Sequence, residues 1–143
     1  MVDAFFENKI KKHFDFLVEE YGFSAPIYYN IAYEYHAAYI KDNFFIDIVF
    51  DGGYWCTVNK SLKPIFEALS EKKIYELNYR QYYLSQLDSR KKLYKSIQDF
   101  AGGKHDKELF YYAMLLKNNP AILNGNFRKF SLVYLLLKKN GLK

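Results

Sequence analysis

The stretch over residues 34–60, EYHAAYIKDNFFIDIVFDGGYWCTVNK, limits what this chain can fold into more than any other. Phe44, Ile46, Ile48 and Phe50 alternate with Phe45, Asp47 and Val49, and period-two patterning in β-branched and aromatic residues is a strand signal. Asp51-Gly52-Gly53 stops the pattern, because glycine reaches positive φ without steric cost. On the other side, Asp42-Asn43 supplies residues that tolerate the left-handed conformation of a two-residue hairpin. The stretch therefore predicts three antiparallel strands, over 35–41, 44–50 and 54–60.

Register follows from the loops. A three-residue loop at Asp51-Gly52-Gly53 sets Phe50 opposite Tyr54, Ile48 opposite Cys56 and Ile46 opposite Val58. A loop of Gly52-Gly53 alone sets Ile48 against Thr57 and Ile46 against Asn59, mixing polar groups into an apolar row. A one-residue slip moves every side chain to the other face, so the three-residue loop, with a left-handed residue and a bulge, is the expected one. A two-residue turn at Asp42-Asn43 then pairs Tyr39 with Ile46, Ala37 with Ile48 and Tyr35 with Phe50. One face becomes the apolar set Tyr35, Ala37, Tyr39, Ile46, Ile48, Phe50, Tyr54, Cys56 and Val58. The other face has mixed rows: His36, Val49 and Trp55; Ala38, Asp47 and Thr57; Ile40, Phe45 and Asn59.

The flanks read as helical. Over residues 3–21, with Asp3 as the cap, Phe6, Ile10, His13, Phe14, Leu17 and Tyr21 recur at helical spacing and Gly22 closes the helix. His13 lies on the apolar stripe and reads as a packed, hydrogen-bonded core histidine. Pro26 argues for a strand start, and a short fourth strand is expected over 27–32. After the meander, Ser61 and Pro64 open a short helix to Leu69, a polar link covers 70–73, and 74–77 approach the next element. Asn78 caps a long helix reaching Phe100, with Tyr83, Leu87, Tyr94 and Ile97 on its period and Arg90 as an interruption; Gly102-Gly103 end it. Asp106 caps a helix to Lys117, lined by Leu109, Tyr112, Ala113 and Leu116. Asn119-Pro120 opens a short turn, and Asn126 caps a last helix over 127–139, with Phe130, Val133, Leu136 and Leu137 inward. The layout is one α+β domain over 1–143: an N-terminal helix, a small antiparallel meander of three to four strands, then three to four helices.

Composition narrows the function classes. Half of the 143 residues are hydrophobic and 20% aromatic, which excludes disorder. The net charge is +5 with a pI near 9.1, carried almost wholly by lysine, and an AT-rich coding bias accounts for it as well as an acidic partner does. Cys56 is the single cysteine, so no internal disulfide is available; on the core face of a strand it reads as a small hydrophobe. The opening residues lack the uncharged run of a signal peptide, and the apolar run over 132–137 is too short to span a bilayer. The expected setting is the cytoplasm, with no membrane role.

Known chemistry is sparse. The histidines His13, His36 and His105 have no ligand-spaced partners for a metal. The two Gly-Gly pairs make neither a phosphate loop nor a dinucleotide fingerprint, and no serine sits in a nucleophile elbow. No cofactor is expected and no catalytic residue is assigned. Arg90, Lys91, Lys92 and Lys95 form a basic cluster that reads as a solvated helix face. The tyrosines Tyr28, Tyr29, Tyr33 and Tyr35 read as strand formers. The candidate binding residues are His36, Asp47, Trp55 and Thr57 on the mixed face, where His36 and Asp47 are diagonal neighbours. Asp47 is expected to bond Thr57 across the strands.

One resemblance is carried by Phe14-Asp15-Phe16-Leu17, Glu20-Tyr21-Gly22-Phe23 and the strand closing on Phe50-Asp51. This pattern resembles small bacterial α+β proteins, several families of which stand beside toxins as immunity proteins. It covers the chain to about Lys60 and carries no catalytic residues. The resemblance implies a non-enzymatic protein whose partner is another protein. Many immunity proteins are acidic, whereas this chain is basic.

Three functions are thus in play. A protein-binding, immunity-like role expects an exposed face of aromatic and charged residues and no deep polar cleft. A nucleic-acid module expects Lys9, Lys12, Lys91, Lys92 and Lys95 on one face. A ligand-binder or enzyme at the mixed face expects a pocket containing His36 and Asp47.

Overall fold

In the computed structural model the described residues are 4–61, 79–100 and 102–130. The chain opens with helix α1 (Ala4–Tyr21), followed by strands β1 (Ile27–Ile31), β2 (Glu34–Lys41), β3 (Phe44–Phe50), β4 (Tyr54–Ser61) and β5 (Tyr79–Tyr83). Two 3₁₀ turns (Leu84–Leu87 and Ser89–Lys91) lead to helices α2 (Lys92–Ser96), α3 (Gly103–Lys117) and α4 (Pro120–Leu123). The strands form one antiparallel sheet in sequence order β1-β2-β3-β4-β5. The domain is α+β as expected, but the sheet has five strands where three to four were expected.

The register of the meander is the expected one. Phe50 pairs with Tyr54, Ile48 with Cys56 and Ile46 with Val58, and Lys41 pairs with Phe44 across Asp42-Asn43. Asp42 stands at φ 54 and Gly52 at φ 72, so each turn uses the left-handed region its residues tolerate. The apolar face packs under α1 and α3. Ile10, Phe14 and Leu17 of α1, Leu109 and Leu116 of α3, and Tyr39, Ile46 and Ile48 of the sheet share one core. Cys56 is buried in it, and burial raises its thiol pKa well above the ordinary value. At 25 cal/mol per Å² of apolar surface withdrawn, such a face is the main source of stability.

β1 falls where Pro26 and the tyrosines place it, joined to β2 by Ala32-Tyr33 with Ala32 at φ 53.

The long helix expected to reach Phe100 is not formed. Tyr79–Tyr83 pair with β4, so Tyr82 faces Val58 and Tyr83 faces Thr57. Beyond them the chain turns, with Arg90 and Lys91 at φ 55 and 56. Asp88 holds that turn: its carboxylate accepts the amides of Leu93 (2.9 Å) and Tyr94 (3.1 Å) and the hydroxyl of Tyr111 (2.8 Å). Burial pushes the Asp88 carboxyl up, but these three hydrogen bonds outweigh it and hold it below its usual range.

α3 begins at Gly103, not at Asp106, and no side chain caps it. A Cβ at Gly102 would run into the Phe100 ring, which explains the glycine there. Asn119 and Pro120 stand at the cap and first position of α4 as expected, but the Asn119 side chain donates back to the Leu115 carbonyl (2.7 Å). Asn126 accepts the amide of Arg128 (3.1 Å), as a cap does. Ser61, expected to open a helix, instead ends β4 opposite Tyr79; the Asp3 cap, the rest of that helix over 62–69, the stretch 70–77, the Asn78 cap and the last helix past 130 lie outside the described residues. Among the described residues no helix is long and apolar enough to cross a membrane.

Candidate functional site

The mixed face of the sheet is built by strand parity. Tyr29, His36, Asp47, Thr57 and Asn59 all point away from α1 and α3, and all are buried. His36 pairs with Val49 and Asp47 with Thr57, so His36 and Asp47 are the diagonal neighbours that the register expects. Their side chains meet: His36 Nδ1 lies 2.9 Å from Asp47 Oδ2. Tyr29 donates to the same oxygen at 2.8 Å and stacks its ring on the imidazole, centroids 4.5 Å apart. On its far side His36 Nε2 lies 3.0 Å from Glu34 Oε1. The result is a chain, Tyr29–Asp47–His36–Glu34, tying three strands together.

Both imidazole nitrogens face carboxylate oxygens, so the imidazolium form satisfies both. Burial alone lowers the His36 pKa. The hydrogen bonds and charges of Asp47 and Glu34 outweigh it, and the net shift is upward from 6.5. Burial also drives the Asp47 carboxyl up, against the opposing hydrogen bonds of His36 and Tyr29. A buried pair of this kind is favourable only where its remaining lone pairs are satisfied. Here Asp47 Oδ1 and Asn59 Oδ1 have no hydrogen-bond partner among the described residues.

The expected bond from Asp47 to Thr57 is not made. Thr57 Oγ1 accepts instead from Asn59 Nδ2 (2.9 Å), two residues along the same face. Trp55 is half-buried opposite Val49 and joins no hydrogen bond of the chain among the described residues. The structure thus brings His36 and Asp47 together and leaves Trp55 and Thr57 outside their chain. Tyr29, Glu34 and Asn59 were missed. Tyr29 sits opposite His36, which an Ala32-Tyr33 turn implies, but Ala-Tyr is not a turn signature.

Three clefts are lined by described residues, and His36 and Asp47 line none of these three. One of about 500 Å³ has Arg90, Lys91 and Lys104 with Asp88 and Glu108. Another, of about 480 Å³, has Lys60, Arg80 and Arg128. Both of these clefts are lined largely by polar and charged side chains. The basic residues named for nucleic acid are partly spent: Lys9 pairs with Asp106 at 3.2 Å, and Lys91 lines a cleft that also holds two carboxylates.

The third cleft is a notch of about 80 Å³ where α1, β2–β4 and α3 meet, walled by Phe5, Tyr35, Phe50, Tyr54 and His105 with Lys9 at its rim. Its wall is braced. His105 Nδ1 lies 2.9 Å from Glu108 Oε1, and Glu108 Oε2 accepts the Tyr54 amide at 3.0 Å. The His105 ring meets Phe50 and Tyr54 edge-on at 5.2 and 5.8 Å. Phe5 is 69% exposed. Beside the notch, His13 Nε2 lies 3.3 Å from Asp106 Oδ1, which is the packed, bonded histidine expected of the α1 stripe. Among the described residues no group of three or more His, Cys, Asp or Glu side chains is placed to hold a metal ion.

No protein family, no curated protein and no solved structure matches this chain. Its chemistry is therefore read from its own residues.

Proposed function

We propose that this chain acts by binding another protein, in the manner of an immunity protein and without catalysis, and that it docks its partner at the aromatic notch. The observation that carries this reading is an exposed aromatic, Phe5, beside an apolar notch whose walls are fixed by packing and hydrogen bonds. Aromatic anchors seated against rigid pockets dominate affinity in protein interfaces. The notch has room for one apolar side chain of the partner. The rim carries Lys9, and both Lys9 and Lys12 act on Asp106 beside it. With the chain at +5, the fitting partner is an acidic protein that presents an apolar side chain, since opposite charge speeds encounter and fixes register. The proposed setting is the cytoplasm, in keeping with one buried free cysteine.

The test is binding to the product of the neighbouring gene, measured by calorimetry. Phe5→Ala is expected to weaken binding about tenfold or more. Tyr83→Ala, which removes another exposed aromatic on β5, is expected to leave it unchanged. Absence of binding by the unmodified protein, or equal effects of the two substitutions, overturns the reading.

A further inference from the structure

We infer that the cleft bounded by Lys60, Arg80 and Arg128 is a binding site for a compact phosphoryl anion carrying more than one negative charge, of the pyrophosphate type. Its volume of about 480 Å³ lies in the range of small-ligand sites. Lys60 of β4 and Arg80 of β5 are direct cross-strand partners. Side chains so placed have Cβ atoms about 4.5–5.5 Å apart, and like charges there oppose each other. Arg128 adds a third cation to the same cleft, and all three residues are exposed. No carboxylate lines the cleft among the described residues, and no ion pair to any of the three cations is found among them.

A second cationic cleft differs in that carboxylates line it too. There, Arg90, Lys91 and Lys104 share the walls with Asp88 and Glu108. At Lys60, Arg80 and Arg128 no such carboxylate stands among the described residues, which leaves the cleft open to a charge from outside. The floor is firm. Lys60 Nζ lies 5.6 Å from the centroid of the buried Phe127 ring, and Tyr82 stacks on Phe130 at 4.8 Å. Asn126 spends its carbonyl oxygen on the Arg128 amide, which leaves its NH₂ as a further donor. Guanidinium forks match phosphate oxygens two at a time. Three cations closing on one concave volume fit a single compact anion, whereas a polymer backbone is tracked by cations in a stripe.

The experiment is thermal unfolding and calorimetry at low salt with sodium pyrophosphate, against sodium chloride of equal ionic strength. Pyrophosphate is expected to raise the melting temperature beyond the chloride control, since a ligand of the folded state stabilises it, and to bind more tightly than orthophosphate. Arg80→Gln is expected to weaken binding about tenfold or more and, without ligand, to raise the melting temperature by relieving the opposition to Lys60. A merely structural arginine would give the reverse. Arg128→Gln, at an exposed position, is the second variant and is expected to weaken binding without that rise. No shift beyond chloride, unchanged binding in both variants, or tight binding of a short oligothymidylate with none of pyrophosphate overturns the inference.

Discussion

The pairs His36–Asp47 and His13–Asp106 join the same two kinds of side chain, 2.9 and 3.3 Å apart, yet the molecule drives the two histidines in opposite directions. Their imidazoles are equally withdrawn, with side chains 7% and 8% exposed. Burial is therefore not what separates them. His36 lies between two carboxylates, Asp47 and Glu34, which overcome its desolvation and raise its pKa. His13 has one, Asp106, which it shares with Lys9. Desolvation, with the charges of Lys12 and Lys9, overcomes that carboxylate and lowers its pKa. The difference teaches that a histidine–carboxylate contact has no fixed meaning: the count of charges around it decides the sign. The inner pair locks β1, β2 and β3 together. The outer pair joins α1 to α3 beside the aromatic notch.

The largest effect should come from breaking the inner pair. Asp47→Ala leaves the imidazole of His36 and the hydroxyl of Tyr29 buried with their shared acceptor gone. Removing one partner of a buried pair typically costs about 3–5 kcal/mol. Urea unfolding near neutral pH is expected to show a loss of that size. A loss below about 1 kcal/mol, the range of exposed pairs, would mean that the inner pair is no more than a surface contact and that the comparison fails.

A smaller effect, but the one that tests the sign, is the pH dependence. His36 has a folded pKa above its unfolded value of 6.5, so its contribution to stability is complete below pH 6.5 and is lost as pH rises through the folded value. His13 has a folded pKa below 6.5, so its contribution is present above pH 6.5 and is lost as pH falls through that value. Histidine NMR titration should place His36 above 6.5 and His13 below it. In Asp47→Asn, His36 should move down while His13 stays in place. Movement of both histidines, or of neither, would sink the assignment.

How much of this was legible beforehand depends on turn chemistry. Asp42-Asn43 and Asp51-Gly52-Gly53 announce their loops, so the register of β2–β4 and the approach of His36 to Asp47 followed from the residues alone. Ala32-Tyr33 announces nothing, although Ala32 takes φ 53. The pairing of β1 was therefore unread, and with it Tyr29, the third member of the inner chain. The five-residue strand β5 was hidden by a coincidence of spacing: Tyr83, Leu87, Tyr94 and Ile97 keep a helical period across a strand end, two 3₁₀ turns and a short helix. The Asp88 carboxylate decides that region by taking two backbone amides, and side-chain competition of this kind leaves no periodic trace. The notch was illegible for a different reason. Phe5, Tyr35, Phe50, Tyr54 and His105 come from five elements, and only the packing of α1 and α3 on the sheet brings them together.

The smallest effect should come from the outer pair. The Asp106 side chain is 18% exposed, and its carboxylate is divided between Lys9 and His13. Burial pushes its pKa up, but the hydrogen bonds from His13 and Lys9 and the charges of Lys9 and Lys12 hold it below its usual range. Its contribution is therefore present above its unfolded value of 3.8 and is lost as pH falls through that value toward the folded one. Solvent screens a pair this close to the surface, so Asp106→Asn should cost under about 1 kcal/mol near neutral pH. The same substitution removes the carboxylate that raises the His13 pKa, so the His13 midpoint should fall further below 6.5 while His36 does not move. A loss as large as that of Asp47→Ala, or a rise in the His13 midpoint, would show that the outer pair is held as the inner one is.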